Sequence, residues 1–194
     1  YTVSAVVLRC INEGSIEAKK EAVGGIVGGM DLGFVSECES YGDVEGTNKV
    51  GGIAGTSSAK LLSNWAKCAL TGKKYVGGIV GQGTDGLLTG NSCVAKENRA
   101  IVDIRADSGK KSDDNSGIAS GDTDTNTQYW GAISGGQDGE FVGNLFVSDA
   151  LAGIDRVSRA GQAEPTTFEA IRALEGAPAG FQNLTLTFTA DGHI

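Results

Sequence analysis

Short apolar runs broken by glycine pairs make up most of the chain, and they lack the 3.6-residue period of an amphipathic helix. The segment Val23-Gly24-Gly25-Ile26-Val27-Gly28 recurs 27 residues on as Val50-Gly51-Gly52-Ile53-Ala54-Gly55. It returns after another 26 residues as Val76-Gly77-Gly78-Ile79-Val80-Gly81. A fourth copy, Trp130-Gly131-Ala132-Ile133-Ser134-Gly135, follows at 54 residues, which is two periods and predicts one diverged rung in between. That interval holds Ala100-Ile101-Val102-Asp103-Ile104 and a polar stretch from Ser108 to Asn126. Within it Asn115-Ser116-Gly117-Ile118-Ala119-Ser120 echoes the motif loosely, as a distorted rung or as a rung with a protruding loop.

A second element lies between the glycine motifs. Cys38 precedes Val50 by 12 positions and Asn64 precedes Val76 by 12, while Asn144 lies 9 residues past Gly135, as Asn64 does past Gly55. One column therefore reads Cys10, Cys38, Asn64, then Asn91 or Cys93, then Asn144. A period of about 27 residues with β-branched runs and glycine turns predicts an all-β chain, a parallel β-helix or β-solenoid of stacked coils. Neighbouring coils ~4.8 Å apart put like residues into ladders, with Ile26, Ile53, Ile79 and Ile133 forming an apolar one. The recurring glycines mark either corners with positive φ or places where backbones approach closely.

The repeat pattern spans residues 1–161. Residues 162–183 read as a short capping helix and linker. There Thr166 and Glu169 suit a capping box, Phe168, Ile171 and Leu174 share one face, and Gly176 with Pro178 ends the helix. Docked over the last coil, it would cover an edge open to other chains. Residues 184–194 alternate apolar and hydroxyl side chains and then reach Asp191-Gly192, the start of a following β module cut within a hairpin. The opening Tyr1-Thr2-Val3-Ser4-Ala5-Val6-Val7-Leu8 already alternates like a strand, as in a piece of a longer protein.

Composition narrows the function classes. The 31 glycines among 194 residues lack a collagen period, and 40% hydrophobic content argues against a disordered linker. A net charge of −8 without a basic run argues against nucleic acid and against anionic membranes as partners. No apolar stretch nears the ~20 residues of a membrane-spanning helix, so no membrane insertion is expected. Cys10, Cys38, Cys68 and Cys93 form no C-x-x-C; two disulfides are possible, and buried free thiols are the preferred reading.

Candidate chemistry is sparse. The single histidine, His193, lies at the C-terminal end, which excludes a His-based triad or multi-His metal site within these residues, and no catalytic motif is present. Asp122, Asp124 and Asn126 have the spacing of a calcium loop, but Thr127 stands where the turn glycine belongs and Ile133 where the bidentate Glu belongs. Asp103, Asp107, Asp113 and Asp114 could gather as the carboxylates of a polysaccharide-cleaving β-helix, without a paired cation in a repeated column. Tyr41, Trp65, Tyr75, Tyr129 and Trp130 are candidates for stacking on sugars, some of them reserved for core or corners.

The motif Val-Gly-Gly-Ile-Val-Gly, preceded by an Asn/Cys-x3-Gly-x-Val-x-Gly element, resembles the GLUG repeat of secreted and surface-attached bacterial proteins. The resemblance covers roughly residues 1–161, and the stretch from Ser148 to Asp155 followed by Pro165 to Glu175 looks like the closing segment of such arrays. It implies an extracellular or cell-surface β-solenoid with no assigned chemistry and no cofactor, a spacer or adhesion platform for an extracellular protein or glycan. The competing readings are an accessory solenoid domain of a surface protease or polysaccharide-degrading enzyme, and a carbohydrate-binding module.

Overall fold

The computed structural model describes residues 4–86, 90–106, 129–147 and 161–187. These residues are dominated by short strands that the chain lays down in passes. The first pass holds β1 (Ala5–Leu8), β2 (Ile11–Asn12), β3 (Ile16–Glu17), β4 (Val23–Gly24) and β5 (Val27–Met30). The second holds β6 (Gly33–Ser36), β7 (Glu39–Ser40), β8 (Val44–Glu45), β9 (Asn48–Gly51) and β10 (Ala54–Ser57). The third holds β11 (Lys60–Leu62), β12 (Trp65–Gly72), β13 (Lys74–Gly77) and β14 (Val80–Gly83). Then come β15 (Val94–Lys96), β16 (Arg99–Ala106) and β17 (Trp130–Gly131), followed by β18 (Glu140–Val142), β19 (Leu145–Val147) and β20 (Glu164–Thr166).

Each strand pairs with its counterpart in the next pass, and every strand–strand ladder is parallel. One sheet runs β1-β6-β11-β15-β18, and a second runs β2-β7-β12-β16-β19-β20, with β3 and β8 also leading onto β12. The third runs β4-β9-β13-β17, and the fourth β5-β10-β14. The all-β expectation with parallel strands therefore holds for the described residues.

The repeat keeps its register because equivalent residues face the same core. Val23, Val50, Val76 and Trp130 are Cα partners in succession. Ile26 donates its backbone N–H to Ile53, Ile53 to Ile79, and Ile79 to Ile133, each at 3.0 Å. Ile53, Ile79 and Ile133 are fully buried, and each such side chain contributes about 1.5–3 kcal/mol of transfer free energy.

Two expectations about the repeat need correction. No diverged rung separates the third and fourth glycine motifs: Val76 pairs directly with Trp130 and Gly77 with Gly131. The additional length enters between strands, at residues 84–93 and between β16 and β17, where a longer connection leaves the ladder register untouched. The fourth member of the polar column is Asn98, not Asn91 or Cys93. The segment before it is lengthened by a loop closed by the antiparallel bridge Asp85↔Ser92.

The motif glycines do not supply the positive-φ corners. Those corners belong to Arg9, Glu37, Ser63 and Glu97 (φ 53, 52, 52 and 56°) with Gly143 (62°), and on another corner to Ala22, Lys49 and Tyr75 (62, 56 and 56°). The glycines serve close approach instead. A Cβ on Gly25, Gly52 or Gly78 would overlap the carbonyl oxygen of Gly52, Gly78 or Ala132 in the next pass. One on Gly24, Gly51, Gly77 or Gly131 would strike the carbonyl three residues on, and one on Gly55, Gly81 or Gly135 would strike the backbone of the previous pass at Ala22, Lys49 or Tyr75. Gly28 keeps the same column, its nearest neighbour being the Ala22 carbonyl at 2.9 Å.

At the C-terminal end α1 (Phe168–Arg172) begins at Thr167, not Thr166. The Thr167 side chain accepts the Ala170 N–H at 3.1 Å, so the cap involves Thr167 and Ala170 and leaves Thr166 in β20. A second helical turn, α2 (Ala179–Gln182), places the buried Phe181 against Trp65 at 4.8 Å between ring centroids and against Tyr41 at 5.9 Å. The segment thus turns back onto strands of earlier passes. Residues 184–187 form no strand, and the Asp191-Gly192 hairpin signal lies outside the described residues, as does the echo at Asn115–Ser120.

Candidate functional site

The most developed polar arrangement is the column Cys10, Cys38, Asn64, Asn98, Asn144 at the start of the second sheet. Each member follows a positive-φ residue, which turns the chain and aims the next side chain along the stack. Asn64 Oδ1 accepts the backbone N–H of Cys38 at 3.0 Å, Asn98 Oδ1 that of Asn64 at 3.0 Å, and Asn144 Oδ1 that of Asn98 at 2.9 Å. Each Nδ2 donates back to a carbonyl one pass earlier, those of Val35, Leu61 and Ala95. Cys38 stands in with sulfur: its Sγ accepts from the Cys10 N–H at 3.4 Å and donates to the Ser36 carbonyl at 3.3 Å. At Asn144 the Nδ2 also donates to the Gln162 carbonyl at 3.1 Å, and the Gln162 side chain accepts the Ser134 N–H and donates to the Gly136 carbonyl at 2.8 Å.

Apart from the exposed Cys10, these groups are buried and mutually satisfied, so the column serves to hold backbone together. Sequence spacing found four of its members. It missed Asn98, whose separation from Asn64 is 34 residues.

An open cleft of about 660 Å³ lies beside the column, lined by Arg9, Ile11, Glu37, Glu39, Trp65 and Arg99 along the strands and by the turn at residues 174–178. Its charges are largely engaged. Arg9 Nε meets Glu37 at 2.7 Å, and Arg99 Nη1 donates to the carbonyls of Asn98 at 3.0 Å and Gly143 at 2.8 Å. Burial pulls the Arg99 guanidinium below its ordinary value. Tyr41 donates to Glu39, and burial followed by that hydrogen bond pushes the phenol well above its usual range. Among the described residues no hydrogen-bonded nucleophile–base pair lines this cleft.

The candidate residues fall as follows. Asp103 is buried and accepts from Arg105 Nε at 2.8 Å; Asp107, Asp113 and Asp114 lie outside the described residues, as do the calcium candidates Asp122, Asp124 and Asn126 and the lone His193. Trp65 and Trp130 are buried, and Trp130 Nε1 donates to the Lys73 carbonyl. Tyr75 and Tyr129 meet edge to face at 5.2 Å, with the Lys74 ammonium 5.2 Å from the Tyr129 ring. None of the five aromatics offers a fully exposed ring for a sugar.

Among the described residues no three His, Cys, Asp or Glu side chains converge as a metal-binding group. No helix among them is long and apolar enough to cross a membrane. Cys10 is an exposed free thiol, and Cys38, Cys68 and Cys93 are buried free thiols. Comparison of the chain with protein-family models, with curated proteins and with solved structures finds no match.

Proposed function

We propose that residues 1–161 form a β-solenoid of the GLUG-like type, a non-catalytic repeat region of a secreted or surface-attached bacterial protein. Its role is that of a rigid spacer whose flanks can serve as an adhesion platform for an extracellular protein or glycan. The observation that supports this most is the shared register: the first three passes visit the four parallel sheets in one order, with the isoleucine and asparagine ladders running through them. Polar side chains committed to holding backbone, rather than pointing at open space, favour a structural role over a catalytic one.

Two measurements test the reading. A crystal structure should show one strand of each sheet per turn around a common core, and separate sheets packed as a sandwich would overturn the solenoid. Incubation with a panel of extracellular polysaccharides and peptides should give no product, and turnover by the purified chain would overturn the non-catalytic role. A glycan array decides whether the flanks bind sugar in addition.

A further inference from the structure

The first step of the polar column differs from the others. Between Cys38 and Asn144 each step is closed by an asparagine amide, but between the first and second passes it is closed by the Cys38 sulfur, which accepts the backbone N–H of a second cysteine, Cys10. Cys10 and Cys38 lie one step before the aligned pair Ile11↔Glu39, and Glu39 donates its N–H to the Cys10 carbonyl at 2.8 Å. Parallel neighbours are ~4.8 Å apart, inside the 4.4–6.8 Å Cα separation that a disulfide spans. Both side chains leave the backbone just after a positive-φ residue, Arg9 or Glu37, so they project alike. The Cys38 sulfur already reaches the Cys10 N–H.

We infer that Cys10 and Cys38 form an oxidation-dependent staple, a disulfide that ties the first pass to the second. The reaction needs a small-molecule disulfide as oxidant. The exposed Cys10 thiolate attacks one sulfur of that oxidant, forming a mixed disulfide and releasing one thiolate. Cys38 then attacks Cys10 Sγ, its proton going to the second departing thiolate. Two protein thiols and one small disulfide become one protein disulfide and two small thiols. Exposure selects Cys10 as the first attacker, and Cys38, whose sulfur already lies against the Cys10 backbone, is placed for the second step, which the alkaline pH promotes because burial pushes the Cys38 thiol up. Cys68 and Cys93 are buried and take no part.

The staple acts where the side-chain ties between passes are weak. The Cys38 sulfur is a weak acceptor for the Cys10 N–H and a weak donor to the Val7 carbonyl at 3.8 Å, and the Arg9–Glu37 tie at this corner is a solvent-exposed ion pair of small worth. Oxidation would fasten the first pass to the second, making its stability respond to the redox state of the surroundings.

The test is incubation of the folded chain with oxidised glutathione at mildly alkaline pH, followed by thiol counting in denaturant and non-reducing peptide mapping. Free thiols should fall from four to two, with the Cys10 peptide joined to the Cys38 peptide. Amide exchange over residues 5–8 should slow by about tenfold on oxidation and recover with reductant. Cys10→Ser, a change at an exposed position, should keep its three thiols and show no slowing. A persistent glutathione adduct on Cys10 with Cys38 still free would overturn the inference, as would a link from Cys10 to Cys68 or Cys93, or four unreacted thiols.

Discussion

Asn64 donates both its backbone N–H and its side-chain Nδ2 to a single atom, Oδ1 of Asn98, each at 3.0 Å. Asn98 repeats the arrangement toward Asn144 at 2.9 and 3.0 Å. One side-chain oxygen thus terminates two buried donors of the preceding pass, and one amide returns a bond to the carbonyl of that pass. Asn98→Ala would orphan the Asn64 N–H and one Nδ2–H and take the side-chain donor from the Leu61 carbonyl, all out of reach of water. A buried unsatisfied group costs about 1–3 kcal/mol, so the variant should lose at least about 2 kcal/mol in denaturant melts. Asn98→Asp should fare no better, because it keeps the acceptor but removes the donor and buries a charge.

The same column predicts a stabilising change. Cys38 occupies an asparagine position with a weaker acceptor, and Asn64 Oδ1 takes only the Cys38 N–H where Asn98 Oδ1 takes two donors. Cys38→Asn would supply a stronger acceptor for the Cys10 N–H, a donor for the Val7 carbonyl and a second donor to Asn64. With a typical net worth of about 1 kcal/mol per hydrogen bond, the melting temperature should rise. A fall would show that the corner is shaped for sulfur.

Two glycines separate crowding from strain. Gly52 has an ordinary φ, but an added Cβ would run into the Gly78 carbonyl oxygen and lie 2.9 Å from the Ala66 Cβ. Gly90 has φ +64° and nothing within 4 Å of the added atom. Gly52→Ala should therefore cost more than the typical 1–3 kcal/mol of overpacking, since backbone cannot yield, while Gly90→Ala should cost only the roughly 1 kcal/mol of a left-handed residue. Equal losses in urea melts would contradict this assignment.

How much of this was legible beforehand follows from how each feature is written in the chain. The isoleucine ladder could be read because Ile26, Ile53, Ile79 and Ile133 sit inside near-identical hexapeptides, and copies of one sequence in one register share one environment. Asn98 could not, because the loop around Asp85 and Ser92 lengthens its spacing and no motif surrounds it. The corners were hidden for another reason. Arg9, Glu37, Ser63 and Glu97 include no glycine or asparagine that would announce a left-handed residue, and each enters that region just before a member of the polar column, Cys10, Cys38, Asn64 or Asn98. Nor does any local pattern announce that Phe181 meets Trp65, a contact made only after the chain turns back.

Buried thiols give the stability an alkaline limit. Burial pushes Cys68 and Cys93 up to about 12, against about 8.5 for an unfolded cysteine. Below pH 8.5 both states hold the protons and the contribution is complete. Between about 8.5 and 12 the unfolded chain releases protons that the native one retains, so stability falls by up to about 1.4 kcal/mol per pH unit for each thiol. Cys68→Ala should flatten that decline in melts run from pH 7 to pH 10, whatever it costs at neutral pH. An unchanged slope would mean that the thiol ionises in place.

A stack of equivalent passes tolerates the addition of a whole repeat far better than the loss of a single residue. A second copy of Val50–Tyr75 inserted after Tyr75 places a new isoleucine between Ile53 and Ile79 and a new asparagine between Asn64 and Asn98, preserving every ladder. The enlarged chain should unfold cooperatively with a steeper denaturant dependence, because more surface becomes exposed, and with no lower midpoint. Deleting Lys67 alone shifts the alternation of β12. It moves the fully buried Cys68 and Leu70 off the core face, where Leu70 aligns with Val44 and Ile104. That variant should fail to fold. If instead the deletion is tolerated and the added repeat is not, the passes are not interchangeable units and the solenoid reading falls.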